Sequence, residues 1–250
     1  MQALILKAPG ALSNPIAGTP KVPNLARGLL LEYDADQLTL ADAADVTAWN
    51  SIDGSWGTEA NLPYASGVRP KFSRSGFNTG HASVKFTRAS ATLLKTHSTI
   101  ALVPAINTPL TVLALVKFNT ASDGFASTVF SGRTGNAGGY VYCRREISGR
   151  LSMGAGANQE LLSQIVSPGI WMVVACVFDG ANSKLFVDKV KASGTTSGAY
   201  WDGLVLGANA VGSNNLDGDI ASMRAYTRAL SDAEVLLQRE AWLTARGLAV

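Results

Sequence analysis

Cysteine and histidine are scarce in this 250-residue sequence, which contains two of each. Two cysteines are too few for a disulfide scaffold. Cys143 and Cys176 each lie in an apolar, strand-like run, which favours free buried thiols over a cross-sheet bridge. His81 and His97 are widely spaced and lie near no Gly-x-Ser-x-Gly motif. The sequence therefore predicts no zinc site and no catalytic triad, and we expect no cofactor and no metal.

Charge is also sparse, since 16% of the residues are charged. The 21 Lys and Arg against 18 Asp and Glu give a net charge of +3. The basic residues are scattered, and their closest groupings are Arg144-Arg145 and the three lysines between 184 and 191. A surface that binds duplex nucleic acid normally carries a denser basic stripe. We therefore expect no nucleic-acid partner.

Long apolar runs are missing. The longest spans residues 170–178, less than half of the roughly 20 residues that cross a membrane. Near the start, Lys7 follows a short apolar stretch, and prolines stand where the core of a signal peptide would continue. The sequence thus predicts no membrane association. It also predicts a protein that is made in the cytoplasm without a signal peptide.

Short β-rich runs separated by turn residues fill the sequence from Gly28 onward. Val, Phe, Tyr and Leu dominate the runs, and several alternate between apolar and polar residues, which is typical of half-buried antiparallel strands. The pattern predicts an all-β fold with ten strands: Leu29–Tyr33, Ser83–Thr87, Leu110–Phe118, Thr128–Ser131, Tyr140–Arg145, Arg150–Met153, Trp171–Phe178, Lys184–Val187, Leu204–Leu206 and Gly218–Tyr226.

Only the C-terminal region has a helical pattern. Ser231 and Glu234 have the spacing of a capping box, in which the serine hydroxyl and the glutamate carboxylate each accept a backbone N–H. An apolar stripe follows, and Gly247 is placed to end the helix. Tight turns are expected at Asp179-Gly180 and at Asp188, because aspartate tolerates the backbone conformation that such turns require.

The first 27 residues differ in composition from the remainder. They contain four of the nine prolines and no acidic residue, which is typical of an extended segment with little core of its own. We expect residues 1–27 to form an extended arm that docks on a neighbour, and a disordered tail is the alternative.

Carboxylates cluster at Glu32, Asp34 and Asp36. On a strand these side chains would project from one face, as a pair of glycosidase carboxylates might. Solvated acids at a strand end are the favoured interpretation. Calcium is an open alternative at loop acids, but no calcium-loop signature is present. The acids in question are Asp123, Asp217 and Asp219.

Several segments resemble the concanavalin A-like, laminin-G-like jelly rolls. Residues 216–234 (LDGDIASMRAYTRALSDAE) resemble the closing strand and helix start of that family, and residues 177–188 resemble its central hairpin. Residues 46–49, 69–72 and 83–87 resemble the opening segment of its bacterial and phage members. Two turns depart from the family pattern. Lys189 stands where the hairpin usually has glycine. Thr87-Arg88 stands where Asp-Gly usually follows the strand that ends at Phe86.

The resemblance implies a two-sheet antiparallel jelly-roll sandwich over residues 28–250, with a short C-terminal helix. The laminarinase-type glucanases of this superfamily carry Glu-x-Asp-x-x-Glu, but the only near-match here begins at Glu32 and ends with Gln37. The resemblance therefore favours a protein that is not an enzyme. It implies a structural or adhesion component of a phage virion, a capsid-decoration or tail-associated protein, that contacts virion proteins through its arm and associates with itself.

A carbohydrate-binding module is the main alternative, and a glycoside hydrolase is the weaker one. The virion role and the carbohydrate-binding role overlap if the virion component binds host-surface glycans. Loop aromatics can stack their flat faces on sugars, although packing in the core is the commoner role of such side chains. The candidate glycan contacts are Trp56, Tyr64 and Trp201.

Overall fold

The computed structural model describes residues 25–52, 61–63, 68–96, 109–120, 124–132, 141–155, 160–196 and 201–248. These residues form antiparallel strands and one α-helix, α1 (Asp232–Ala245). The strands are β1 (Leu29–Asp34), β2 (Ala48–Trp49), β3 (Leu62–Pro63), β4 (Lys71–Asn78), β5 (His81–Phe86), β6 (Leu94–Lys95), β7 (Leu110–Phe118), β8 (Ser127–Ser131), β9 (Val141–Arg145), β10 (Arg150–Ala155), β11 (Glu160–Ile165), β12 (Trp171–Phe178), β13 (Ser183–Val187), β14 (Val190–Gly194), β15 (Val205–Leu206) and β16 (Gly218–Tyr226).

Two sheets contain nearly all of these strands. Sheet 1 has the order β14-β13-β12-β7-β16-β5-β4, and β1 also pairs with β16. Because β16 is long, β5 pairs with its residues 218–220 and β1 pairs with its residues 222–226. Sheet 2 has the order β11-β10-β9-β8-β15-β6, and β2 pairs with β3 as a separate small sheet. The predicted all-β sandwich is confirmed.

The main core lies between the inner faces of the two sheets. It gathers alternate residues of the central strands, such as Val112, Ala114 and Val116 of β7, all of which are buried. The residues between them, such as Leu113 and Leu115, face the other way and form a second apolar cluster with Trp242 and other residues of α1. Sheet 1 is therefore buried on both faces, and α1 covers its outer face.

The ends of α1 match the sequence pattern. The Glu234 backbone N–H donates to Ser231 Oγ at 3.3 Å, and the Ser231 backbone N–H donates to Glu234 Oε2 at 2.8 Å. A hydrogen bond from Arg228 is the main cause that lowers the pKa of the Glu234 carboxyl to about 2. Gly247 adopts a left-handed φ of 70° just beyond the helix. No helix in the described residues is long and apolar enough to cross a membrane.

The ten predicted strands are all present, with ends shifted by two residues or fewer. Six further strands were missed. Three of them have only two residues, and the other three, β4, β11 and β14, lie at sheet edges, where exposed polar residues interrupt the apolar pattern. The β13–β14 turn needs no glycine at Lys189, because Asp188 takes the left-handed conformation with φ 53°.

Cys143 and Cys176 face each other across the sandwich. Cys143 lies on β9 of sheet 2 and Cys176 on β12 of sheet 1, and both are free and fully buried in the main core. Burial raises the pKa of the Cys176 thiol, and a hydrogen bond with Cys143 acts in the same direction. The predicted arm falls mostly on residues 1–24, which lie outside the described residues.

Candidate functional site

The aromatic side chains that the sequence suggested as glycan contacts are not brought together in the described structure. Trp56 and Tyr64 lie outside the described residues. Trp201 is fully buried in the main core, so its ring faces are unavailable for stacking on a sugar. Trp201 precedes the short strand β15 and packs inward, because the core of a two-sheet sandwich takes up large aromatic side chains.

The acids of β1 do project from one face, as their spacing predicts, but they are not solvated. Glu32 pairs with Arg224 of β16, which also donates to Gln238 of α1. Asp34 accepts two hydrogen bonds from Arg246 Nη2, at 2.8 and 3.0 Å. For Glu32 and Asp34 the interpretation as solvated acids is wrong, because the outer face of sheet 1 is covered by α1 and its C-terminal residues. Asp36 lies in the short helical turn after β1 and is exposed, as that interpretation predicts.

Asp36 and His81 meet at the start of β5. His81 Nδ1 lies 2.9 Å from Asp36 Oδ2, and the Ala82 backbone N–H donates to Asp36 Oδ1 at 2.6 Å. His97 and Asp123 lie outside the described residues. Asp219 is buried, contacts Lys117 Nζ at 3.2 Å and accepts from Ser83. Among the described residues, no group of three or more His, Cys, Asp or Glu side chains could hold a metal ion.

A polar cluster that the sequence analysis missed occupies the outer face of sheet 2. We define the sheet 2 cluster as Tyr142 and Arg144 of β9, Glu146 just after it, Ser152 of β10 and Glu160 of β11. Strand register places them side by side, since Arg144 pairs with Ser152 and both Tyr142 and Glu160 pair with Gly154. The signal was present in the sequence, because Tyr142, Arg144 and Glu146 alternate with the core residues Val141 and Cys143.

Arg144 is the centre of the cluster. Its Nε donates to Glu146 Oε1 at 2.5 Å, and its Nη2 donates to Glu160 Oε1 at 2.8 Å. Ser152 Oγ also donates to Glu146 Oε1, and the Tyr142 hydroxyl donates to Glu160 Oε1. In each glutamate Oε1 takes all the hydrogen bonds from described residues, and Oε2 accepts none of them, so Oε2 has the capacity to accept from a ligand.

The Tyr142 ring lies flat on the sheet over Gly154. A Cβ atom added at Gly154 would lie 2.4–2.6 Å from three atoms of that ring, so only glycine fits beneath it. The Arg144 guanidinium lies 4.9 Å from the ring centroid, at a distance where it interacts with the ring. This stacking fixes the position of the guanidinium above the sheet.

The surroundings of Arg144 and Tyr142 shift the pKa values of both side chains upward. Burial lowers the pKa of the Arg144 guanidinium, but the hydrogen bond and negative charge of Glu146, with further contributions from Tyr142 and Glu160, outweigh it and raise that pKa. Burial, followed by the hydrogen bond to Glu160, raises the pKa of the Tyr142 hydroxyl, which stays protonated. About a quarter of the Arg144 side chain and two fifths of the Glu160 side chain remain exposed. The cluster is thus a fixed array of donors and acceptors on the surface, suited to ligands rich in hydroxyl groups.

Comparison with known families decides the assignment of the fold. The family model described as the concanavalin A-like lectin/glucanases superfamily matches residues 78–236, more than half of the chain. The chain belongs to this superfamily. The matched segment of this concanavalin A-like domain includes the whole sheet 2 cluster. A search of curated protein sequences finds no match.

Solved structures with the concanavalin A-like fold resemble the chain at low identity. Domain 4 of AbnA, a GH43 extracellular arabinanase from Geobacillus stearothermophilus in complex with arabinotriose, matches with a TM-score of 0.61 and 15% identity, over 84% of this chain and 98% of that one. Trypanosoma rangeli sialidase matches with a TM-score of 0.58 and 13% identity, over 90% of this chain. The match covers 36% of the sialidase, so the chain spans about a third of its length. At these identities the likeness shows the fold alone.

Proposed function

We propose that this concanavalin A-like domain binds carbohydrate, without catalysis, on the outer face of sheet 2. The sheet 2 cluster carries the proposal, because it presents a guanidinium and two carboxylates in one partly exposed array, held from below by the buried Tyr142. Sugar hydroxyls both donate and accept hydrogen bonds, and such an array can meet both needs. The complex of the arabinanase domain with arabinotriose, a saccharide, agrees with this class of ligand.

The position of Arg144 supports binding rather than hydrolysis. A glycosidase places the scissile bond between two carboxyl groups that flank it. Here the two carboxylates of the cluster, Glu146 and Glu160, both bond to Arg144, which occupies the space between them. The other acidic candidates, Glu32 and Asp34, pair with arginines beneath α1.

Replacing Arg144 with alanine tests the proposed site. A glycan array identifies the saccharide that the wild-type protein binds, and calorimetry then compares variants. We expect Arg144→Ala to lower the affinity by at least about tenfold, because it removes charge-assisted hydrogen bonds worth about 1.5–3 kcal/mol. Lys184→Ala is the matched control, since Lys184 lies on β13 of sheet 1, has similar exposure and pairs with Asp232 of α1. Unchanged affinity in Arg144→Ala, or no glycan bound at all, contradicts the proposal.

A location in a phage virion stays a prediction from the sequence. It is supported by the proline-rich first 27 residues and by the resemblance to phage members of the family. Deleting residues 1–24 from the full chain is expected to abolish incorporation into particles and self-association, while the circular dichroism of the β-sandwich stays unchanged. Incorporation of the shortened protein at the wild-type level would contradict docking through the arm.

A further inference from the structure

A cleft of about 520 Å³ lies at the edge of sheet 1, on the opposite sheet from the sheet 2 cluster. Two other clefts measure about 150 and 160 Å³. Sites for small ligands commonly span about 300–1,000 Å³, so this cleft is large enough for a short oligosaccharide. Residues 36–41, which follow β1, form one wall, and the β4–β5 hairpin forms the other.

The cleft has an apolar wall and backbone donors that pair with no other described residue. Its apolar side chains pack against the main core and are Leu38, Leu40, Phe72 and Ala82. The backbone N–H groups of residues 39–41 donate to no other group within the described residues. A backbone N–H is a strong donor, and these three can donate to solvent or to a ligand.

Arg74 is the cationic group of the cleft. Its Nη2 donates to the Leu40 carbonyl oxygen at 3.2 Å, which holds the guanidinium at the cleft wall. Asp42, the neighbouring acid, accepts from the Arg74 backbone N–H at 2.9 Å and not from the side chain. Within the described residues the guanidinium has no carboxylate partner, so most of its donors are available.

The acid that lines the cleft is already compensated. Asp36 accepts from the Ala82 N–H and contacts His81, and Arg246 Nη2 lies 3.8 Å from its Oδ2. Its negative charge therefore opposes an anionic ligand less than an isolated carboxylate would. Of the two charged residues among the described residues that line the cleft, Asp36 and Arg74, only Arg74 has no described ion-pair partner.

We propose that this cleft is a second binding site, which takes a saccharide bearing a carboxylate group. A guanidinium matches the geometry and charge of a carboxylate. The N–H groups of residues 39–41 and the Asp36 carboxylate can bond to hydroxyls, and the apolar wall can contact the CH faces of sugar rings. The carboxylate group of the ligand is inferred from Arg74, and the saccharide class of the ligand is inferred from the proposed function.

Calorimetric titration of the full chain with trigalacturonate tests the site. We expect binding that weakens at least about tenfold in Arg74→Gln, which removes a charge-assisted hydrogen bond, and in Ala41→Tyr, which places a ring in the cleft from an exposed position. Arg27→Gln is the control, since Arg27 is also exposed but precedes β1, at the opposite end of that strand from Asp36. Its affinity is expected to equal that of the wild-type protein.

Three outcomes overturn the proposal. They are the absence of binding up to about 10 mM trigalacturonate, binding that is insensitive to both cleft variants, and equal or stronger binding of neutral maltotriose or of a tetraglutamate peptide. Arg144→Ala separates this proposal from the proposed function. If trigalacturonate binding is lost in Arg144→Ala but not in Arg74→Gln, the acidic sugar binds on the sheet 2 face and the cleft is not its site.

Discussion

Gly207→Ala is expected to destabilise the protein by roughly 3 kcal/mol. Gly207 has a left-handed φ of 77°, which costs a residue with a Cβ about 1–2 kcal/mol. An added Cβ would also lie 2.2 Å from Cδ1 of the buried Phe86, and overpacking of a core typically costs about 1–3 kcal/mol. The backbone cannot move aside easily, because the Gly207 N–H donates to the Val129 carbonyl and its own carbonyl accepts from Leu216. Urea unfolding measures the change.

Gly212→Ala separates the two causes. Gly212 lies in the following turn with nearly the same φ, 78°, but the nearest atom to an added Cβ is 3.6 Å away, which is ordinary contact. Only the backbone term of about 1–2 kcal/mol applies there. Equal losses of stability in the two variants would show that Phe86 accommodates the methyl group and that the packing argument is wrong.

Arg246→Ala is expected to cost about 3–5 kcal/mol of unfolding free energy. The Arg246 side chain is 2% exposed, and its Nη2 donates to both Asp34 oxygens and to Ser222 Oγ at 2.6 Å. Removing one partner of a largely buried ion pair leaves the other without compensation, and this is the main source of such losses. Because Asp34 is on β1, the substitution also removes this side-chain link between the C-terminal end of α1 and the sheet.

An exposed ion pair gives the control for Arg246. Lys71 Nζ lies 2.6 Å from Asp45 Oδ1, but both side chains are nearly half exposed. We expect Lys71→Ala to leave the unfolding free energy nearly unchanged, because solvent screens an exposed ion pair. Similar losses in the two variants would mean that burial does not set the strength of the Arg246 interaction.

Local patterns in the sequence predict the elements that are held by local physics. The helix cap at Ser231 and Glu234 and the left-handed turn at Asp188 depend on residues within three positions of one another, and both are confirmed. Central strands such as β7 and β12 were predicted with their observed ends, because their apolar runs are continuous. Edge strands were missed, since their residues face solvent as loop residues do.

The candidate site depends on contacts that no local pattern contains. Glu32 and Arg224 are 192 positions apart in sequence, and their pairing is visible only once β1 lies beside β16. Trp201 was suggested as a surface residue because its neighbours resemble a loop, yet it is buried. Glu160 joins Arg144 only through the register of β9, β10 and β11. Strand register decides these partners, and register follows from the assembled sheet.

The position of β16 in the sheet has a consequence for synthesis of the chain. This strand is the last one in the described residues, yet it lies at the middle of sheet 1, between β7 on one side and β1 and β5 on the other. During translation, β1 and β5 cannot form their hydrogen bonds with β16 until residues 218–226 have left the ribosome. The strands that precede β16 therefore expose unpaired edges until residues 218–226 are made, and edges of this kind favour aggregation.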